Sequence, residues 1–294
     1  MTPRDSESGM ILVNVLLFVA IASGLVLLMI NREELALDRS LRMREAARAM
    51  AIVQGGELSA IVALRRDARE APQVDHAGEP WAALAETAAP IEGGSFDLAI
   101  ADAEGRFNIN SVRAGDAASV ILFETLGREA GLAQEQVIQA IGYVRAFGPV
   151  TDLRPLRLAG LDPNAVDRLE RMVTALPGQT AINLNAAGPE LLTVLFRDAV
   201  IADRLVKLRN RAGQLTLKDL SDQSVSQPPG TSLRSNTFWV RARATIGSTS
   251  QQEATLIQRR PDAYGAIETV PVARWRNAAV PPGAPAFAGG RTTG

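Results

Sequence analysis

Residues Met10 to Ile30 form a run of 21 positions without a charge, and one polar side chain, Asn14, stands near its start. At about 1.5 Å per residue in a helix, the run extends roughly 30 Å, the thickness of the hydrocarbon core of a bilayer. A cleaved secretory signal has a shorter apolar region, about 7 to 15 residues, followed by polar sequence. Ala20-Ile21-Ala22 has the small-x-small form of a cleavage site, yet the apolar run continues through Leu25 to Ile30. The run is therefore read as a retained membrane span, in which Asn14 finds a partner inside a helix bundle. Arg4 and the terminal amine stand against Asp5 and Glu7, so charge does not set the orientation.

Nothing breaks the chain where the apolar run ends. Arg32 to Glu70 has no proline and a single glycine pair, Gly55-Gly56, and is rich in Ala, Leu, Arg, Glu and Met, all good helix formers. Apolar residues recur at Leu37, Leu41, Ala47, Ile52, Leu58, Ile61, Val62 and Leu64, with charges between them. The spacing predicts one helix of about 60 residues, membrane-embedded and then amphipathic, ended by Pro72 and the stretch to Gly78. A surface from Leu35 to Leu64, with Leu35, Leu41, Ile52, Leu58 and Ile61 as its apolar positions, is the candidate face for partner helices through i, i+3 and i+4 contacts.

Beyond the helix the pattern changes twice. Residues 81–90 read as a short helical turn; Phe96, Leu98 and Ile100 then alternate with Asp97, Ala99 and Ala101 at strand period, Ala103-Glu104-Gly105 turns the chain, and Arg106 to Asn110 continues the edge. Helices are expected at 122–130, 135–145, 166–175, 189–197 and 201–211, the fourth opened by Pro189 in a favourable early position. Turns fall at Gly148-Pro149, Gly160, Pro177-Gly178 and Gly213. Gly148-Pro149-Val150-Thr151-Asp152-Leu153 and Gly213-Gln214-Leu215-Thr216-Leu217-Lys218-Asp219-Leu220 each follow an apolar helix, a weak internal repeat that reads as the link within a helical hairpin. Strand signals return at 238–246 and 254–259 around a turn at 247–250, and again at 267–275, where Pro271 indicates an edge or bent strand. Residues 277–294, rich in Pro, Gly and Ala, read as a disordered tail. The economical fold is α+β, a long transmembrane and amphipathic helix packed on a small antiparallel sheet, with a large all-α insertion of helix-hairpin-helix-like units between the strands. The expected boundaries are a leader at 1–9, the span at 10–30, the extended helix at 31–70, the first half of the β part at 71–112, the insertion at 113–236, the second half at 237–276 and the tail at 277–294.

Composition removes several chemistries. The chain has no cysteine, which excludes disulfides, thiolate nucleophiles and cysteine-based metal sites. Its one histidine, His76, lies in a Pro/Asp/Gly loop, and no serine sits in a nucleophile elbow, so neither a catalytic triad nor zinc is expected and the chain is not read as an enzyme. Net charge is −1 and aromatic residues make up 4%, which favours neither phosphate steering nor base stacking. Asn108, Asn110, Asn183 and Asn185 invite reading as a site, but Asn in such segments more often closes turns through side chain to backbone bonds; Arg106 is read the same way. Leu158-Ala159-Gly160-Leu161 and Ile182-Asn183-Leu184-Asn185-Ala186-Ala187 resemble helix-hairpin-helix units, so a membrane-tethered DNA-binding protein is the alternative function. Ile138 to Leu220 holds 11 Arg/Lys against 8 Asp/Glu, a balance of +3 and a weak footprint for a phosphate binder, so no nucleic-acid partner is expected.

Three stretches carry a family resemblance: Gly9-Met10-Ile11-Leu12-Val13-Asn14; Asp102-Ala103-Glu104-Gly105-Arg106-Phe107-Asn108-Ile109-Asn110; and Leu176-Pro177-Gly178-Gln179-Thr180-Ala181-Ile182-Asn183-Leu184-Asn185-Ala186-Ala187, supported by Thr151-Asp152-Leu153 and Leu158-Ala159-Gly160-Leu161. With them the chain resembles the minor pseudopilin K family of type II secretion systems, the general secretion pathway protein K family, whose members are type IV pilin-like. The resemblance implies that a prepilin peptidase cuts between Gly9 and Met10, that Met10 becomes the N-methylated first residue, and that the subunit is a single-pass inner-membrane protein with its body in the periplasm. It implies a place at the tip of a pseudopilus, with minor pseudopilins I and J beneath and H and the major pseudopilin G as further neighbours. Pilins usually carry Glu at the fifth mature position, where Asn14 stands here. A carboxylate there pairs with the terminal amine of the next subunit, and a tip subunit has none above it, so a neutral side chain avoids an orphan charge in the bilayer. The family also implies an acidic calcium-binding stretch between a helix like 135–145 and a segment like 151–161. Here only Ala146 to Val150 lies between them, with no carboxylate, so no calcium ligands are assigned and no cofactor is expected.

Overall fold

A computed structural model of the chain describes residues 4–281 and 283–287. One helix, α1 (Arg4–Glu70), runs unbroken for 67 residues, roughly 100 Å at 1.5 Å per residue. Only its C-terminal third is packed. Ala49, Val53, Gly56, Glu57, Ala60, Ile61, Leu64 and Asp67 recur every three or four residues and turn towards the sheet.

The sheet has five antiparallel strands in the order β1 (Glu86–Ile91), β2 (Gly94–Asp102), β7 (Thr237–Ile246), β8 (Thr249–Pro261) and β9 (Ile267–Arg276). Phe96, Leu98, Phe238, Val240, Ala242 and Ile257 line the face under α1 and enclose Trp81, which meets Phe238 edge-on at 5.2 Å. Gly56 sits where the helix comes nearest the strands: a Cβ there would fall 2.7 Å from the Phe96 ring. The chain leaves the sheet after Asp102 and re-enters at Thr237, with Phe238 opposite Asp102 across the ladder. Everything between is therefore an insertion closed at a single rung.

The insertion has its own core, centred on Phe107, Ile109, Phe123, Leu126, Leu156, Leu169, Leu184 and Leu205. It consists of two similar modules. The first runs from β3 (Phe107–Asn108) through α2 (Ala117–Glu129), α3 (Gln134–Phe147), α4 (Arg154–Leu158) and α5 (Pro163–Leu169) to β4 (Val173–Thr174), which pairs in parallel with β3. The second runs from β5 (Ile182–Asn183) through α6 (Pro189–Phe196), α7 (Ala199–Ala212) and α8 (Leu217–Asp222) to β6 (Thr231–Ser232), parallel to β5. Asp116, Asp162 and Asp198 cap α2, α5 and α7, and Thr216 with Asp219 forms a capping box on α8.

Several expectations need correction. Residues 86–91 form an edge strand; the edge position tolerates Pro90, which cannot donate to a ladder. Arg106 to Asn110 does not prolong the main sheet, because Phe107 and Asn108 pair with β4 and the chain enters a 3-10 turn at Ile109. The helix expected at 166–175 ends at Leu169, since Val173 and Thr174 belong to that pair. Two short helices were not expected: α4 follows directly on the first link, and α8 takes up the end of the second. Ile182 to Ala187 is not a helical hairpin, because it begins as β5; Leu158 to Leu161 does join two helices. The tail is ordered in part, with Ala284 and Phe287 buried against the sheet; residues 288–294 lie outside the described residues. Pro271 falls at a register shift on edge strand β9, as expected.

Candidate functional site

The residues singled out for processing and assembly do not converge on a cleft; they lie along one rod. Gly9, Met10 and Asn14 all belong to α1. Met10 and Asn14 are exposed, as is every described side chain from Leu12 to Arg44. The helix is long and apolar enough to cross a membrane. Of the proposed partner face, Leu35, Leu41 and Leu58 are exposed, and Ile52 is half-buried against the sheet core. Ile61 is a correction. It is 8% exposed and faces its own sheet: it stands at the edge of the buried stripe that holds Glu57, Ala60 and Leu64, whereas Leu58 and Val62 lie further round the helix on its exposed face. The free face of the packed third thus consists of Ala47, Ala51, Gly55, Leu58 and Val62.

Polar staples fix the rod to the sheet. Glu45 accepts from Thr249 Oγ1 at 2.8 Å. Buried Glu57 accepts from Thr255 Oγ1 at 2.9 Å and from Nε and Nη2 of Arg274 at 2.9 and 2.7 Å. Burial pushes its pKa up, but the hydrogen bonds from Arg274 and Thr255 outweigh that and leave it below the usual carboxylate range. At the end of α1, Arg259 of β8 is enclosed. Its guanidinium donates to Asp67 at 2.6 Å and Leu64 O at 3.1 Å, pairs with Asp75, and stacks on Phe238.

The same cluster ties the insertion to the sheet. Ser235 N donates to Asp75, and Asn183 Nδ2 donates to Asp75 O, Ser235 Oγ and Asp102 Oδ2 at 2.9, 3.0 and 2.7 Å. One residue of the insertion therefore touches the loop after α1, the end of β2 and the approach to β7. Acids outnumber bases here, and several are held towards their neutral forms. Desolvation raises Asp67 to about 6 in spite of Arg259, with Glu79 adding to the rise. Desolvation also raises Asp102 to about 6, against hydrogen bonds from Ser235, Glu104 N and Asn183. Buried Glu104 is raised to about 7 for the same reason. Sequence reading missed this cluster, although one signal was present: Asp67 lies on the same helical stripe as Ala60 and Leu64, and an acid in an apolar stripe requires a partner.

The four asparagines are structural, as expected, and they act in pairs. Asn108 Oδ1 accepts from Asn110 N and Leu176 N, while Asn110 exchanges two hydrogen bonds with the Val150 backbone at 2.8 and 2.9 Å. Asn183 Oδ1 accepts from Asn185 N, and Asn185 exchanges two with the Leu215 backbone at 3.1 and 2.6 Å. Val150 and Leu215 are equivalent positions of the weak sequence repeat. Each module thus closes by the same clasp. Arg106 donates to Glu170 O at 3.0 Å and likewise serves the fold. Gly105 lets the first module touch the second, since a Cβ would fall 2.6 Å from Ala186 O.

The segment where the family resemblance places calcium does not fit the ion. Both polar backbone atoms of Val150 are taken by Asn110, and nearby Asp152 is committed to Arg154 at 2.6 Å. Asp67, Asp75 and Glu79 do converge, but Arg259 bonds two of them, and Glu79 accepts from Trp81 Nε1 and His76 N. That group is an ion-pair network.

No family model matches the sequence. Curated relatives match it nearly end to end. Type II secretion system protein K of Pseudomonas aeruginosa is 28% identical across 88% of this chain and 91% of its own length. The protein of that name from Klebsiella pneumoniae is 25% identical, across 89% and 95%. The fold is similar to a chain in the crystal structure of the GspK-GspI-GspJ complex from the enterotoxigenic Escherichia coli type 2 secretion system, with a TM-score of 0.64 and 18% identity, covering 81% of this chain and 99% of that one. The resemblance read from the three motifs thus holds over most of the chain, in sequence and in fold.

Proposed function

We infer that this chain works as a K-type minor pseudopilin: a subunit anchored by α1 in the inner membrane, with its sheet and helical insertion in the periplasm, that begins or caps a pseudopilus for protein export. The observation that carries this reading is the join between the rod and its head. An apolar helix, free along most of its length, is stapled at one end to a sheet whose central ladder is interrupted by a two-module insertion. A helix exposed on all sides over residues 12–44 is stable only in lipid or among other helices. The face with Ala47, Ala51, Gly55, Leu58 and Val62 continues the rod on the side away from the sheet and offers close approach to a neighbouring helix. Partners of the I and J type fit that face, because a pilin-like helix presents the same kind of surface. The insertion bonds to the loop that follows α1; in that position it would obstruct a further subunit stacked there, which favours the tip. Asn14 agrees with that place, since no terminal amine lies above a tip subunit for a carboxylate to pair with.

The test is made on the full chain in its own membrane. Mass spectrometry of the purified protein should find a mature N-terminus at methylated Met10. Crosslinking at Leu58→Cys and Val62→Cys should capture two small pilin-like proteins. A mature chain beginning elsewhere, or no captured pilin-like protein, overturns the reading.

A further inference from the structure

The face of the sheet turned away from α1 is built unlike an ordinary solvated face. Across the strands its rows read Ala101, Trp239, Leu256, Ala273 and Ala99, Arg241, Ala254, Trp275. Alanines form a shallow floor, the two indoles lie 5.4 Å apart, and Arg241 and Arg243 rise at one end. The chain's own residues 280, 281 and 283–287 lie in this trough. Pro281, Ala284 and Phe287 are buried at every third position, and the Phe287 ring lies 4.6 and 4.5 Å from the guanidinium carbons of Arg241 and Arg243. Arg241 Nη1 donates to Pro285 O at 3.1 Å.

The attachment is of a particular kind. Among the described residues, 280–287 make no backbone hydrogen bond to the sheet; their backbone bonds are local turns, Val280 to Asn277 and Ala284 to Pro281. The segment is held by side chains in an aromatic and arginine groove, the way a separate peptide is held. The groove also keeps unused capacity. Trp239 Nε1 and Arg241 Nε are buried without a hydrogen-bond partner among the described residues, and a cavity of about 80 Å³ remains between Trp239, Pro281, Gly283 and the Arg106 and Glu170 side of the insertion. A buried donor without an acceptor is costly, so an incoming segment with a carbonyl at that point has something to gain.

We propose that this face is a peptide-binding groove for an extended, proline-containing segment that places an aromatic ring against Arg241 and Arg243, and that residues 280–287 occupy it as a detachable strap. The groove stands independently of the secretion role. Detachment uncovers the two indoles and the faces of both guanidiniums, while Arg243 stays paired with Asp97 and Arg241 with Gln252, for a segment of the same chemistry supplied by another protein.

The probe is a synthetic peptide of residues 279–288, titrated against the detergent-solubilised full chain and followed by tryptophan fluorescence. It should bind the Phe287→Ala chain at least ten-fold more tightly than the unaltered chain, whose strap competes. The same peptide with its phenylalanine replaced by alanine should bind neither. Should Phe287→Ala lower the melting temperature of the body, a chain ending at Asn277 serves as the open groove. Equal affinity for strapped and open chains, binding indifferent to the aromatic ring, no binding to a folded open chain, or unfolding of both open forms would each overturn the proposal.

Discussion

Arg259 shows how one side chain can decide whether a region holds. It is enclosed with Asp67 and Asp75, all three side chains 5% exposed or less, so solvent screens none of the interaction. Removing one partner of such a cluster leaves uncompensated charge and costs about 3–5 kcal/mol. Arg259→Met should therefore lower stability by that amount in chemical denaturation, whereas Arg48→Met, which breaks an exposed pair with Glu92, should change it by about 0.5 kcal/mol or less. The neighbouring acids set a pH dependence. Asp67, Asp102 and Glu104 have folded-state pKa values raised to about 6, 6 and 7, so the folded chain binds more protons than the unfolded one from about pH 7 down to about pH 4. Their contribution grows as pH falls through that window. Glu57, held low, acts in the opposite direction and loses its contribution as pH falls through its folded value. Glu170 is raised as well, while Asp116 and Asp152, like Glu57, are held low and change charge only at more acidic pH; between pH 8 and pH 5.5 the raised acids therefore decide, the melting temperature should be higher at pH 5.5 than at pH 8, and Glu104→Gln should flatten the slope. A steeper slope in that variant would sink the assignment. Asn14 carries a prediction that rests on the proposed tip role: in that role Asn14→Glu should leave processing at Met10 intact but reduce assembly, measured by recovery of the I- and J-type partners, because the new carboxylate would have no amine above it.

The long helix was the most legible element. Its length, its continuation past the apolar run and its end before Pro72 follow from helix-forming composition and a stripe repeating every three or four residues. Its two adjacent glycines, alike in sequence, differ in the structure. A methyl group added at Gly55 would meet nothing within 4 Å, whereas one at Gly56 would lie against Phe96 and Ala242. Gly55→Ala should stabilise the body by about 0.5–1 kcal/mol through helix propensity, and Gly56→Ala should gain less or destabilise, because the Phe96 ring must give way; thermal melts of the two variants decide. The short elements were hard to read for a physical reason. Strands β3 to β6 span two residues each, too few to show a period, and they are held by pairing with segments far along the chain. The strand at 86–91 was missed because proline and three alanine or threonine positions carry no alternation of apolar and polar.

In the molecule as a whole, three cores meet: one under α1, one inside the insertion, and a smaller one on the far face of the sheet where Leu176 of the insertion joins Ala103, Trp239, Ala254 and Leu256. The core under α1 and the core of the insertion are separate clusters, and the strands flanking the insertion are already in register, with Asp102 opposite Phe238. Replacing residues 105–234 by Gly-Gly should therefore leave a cooperatively folded rod and sheet, with the near-ultraviolet signal of Trp81 retained. Loss of that signal would show that the insertion is needed to form the sheet. Such a variant should also stop obstructing the end of α1, so longer assemblies are expected if the insertion serves as a cap.

Local composition was enough to establish the apolar span, the rod, the alternation of the main strands and the existence of an insertion, because each of these depends on residues close together in the chain. The paired asparagines were also read correctly as structural. Contacts across long separations were settled by the folded chain alone: Arg259 between acids 184 and 192 residues away, Asn183 joining three elements, Ile61 turned inward, and a proline-rich tail seated on a face of alanines and indoles. No window of sequence contains such neighbours, since only packing brings them within hydrogen-bonding distance.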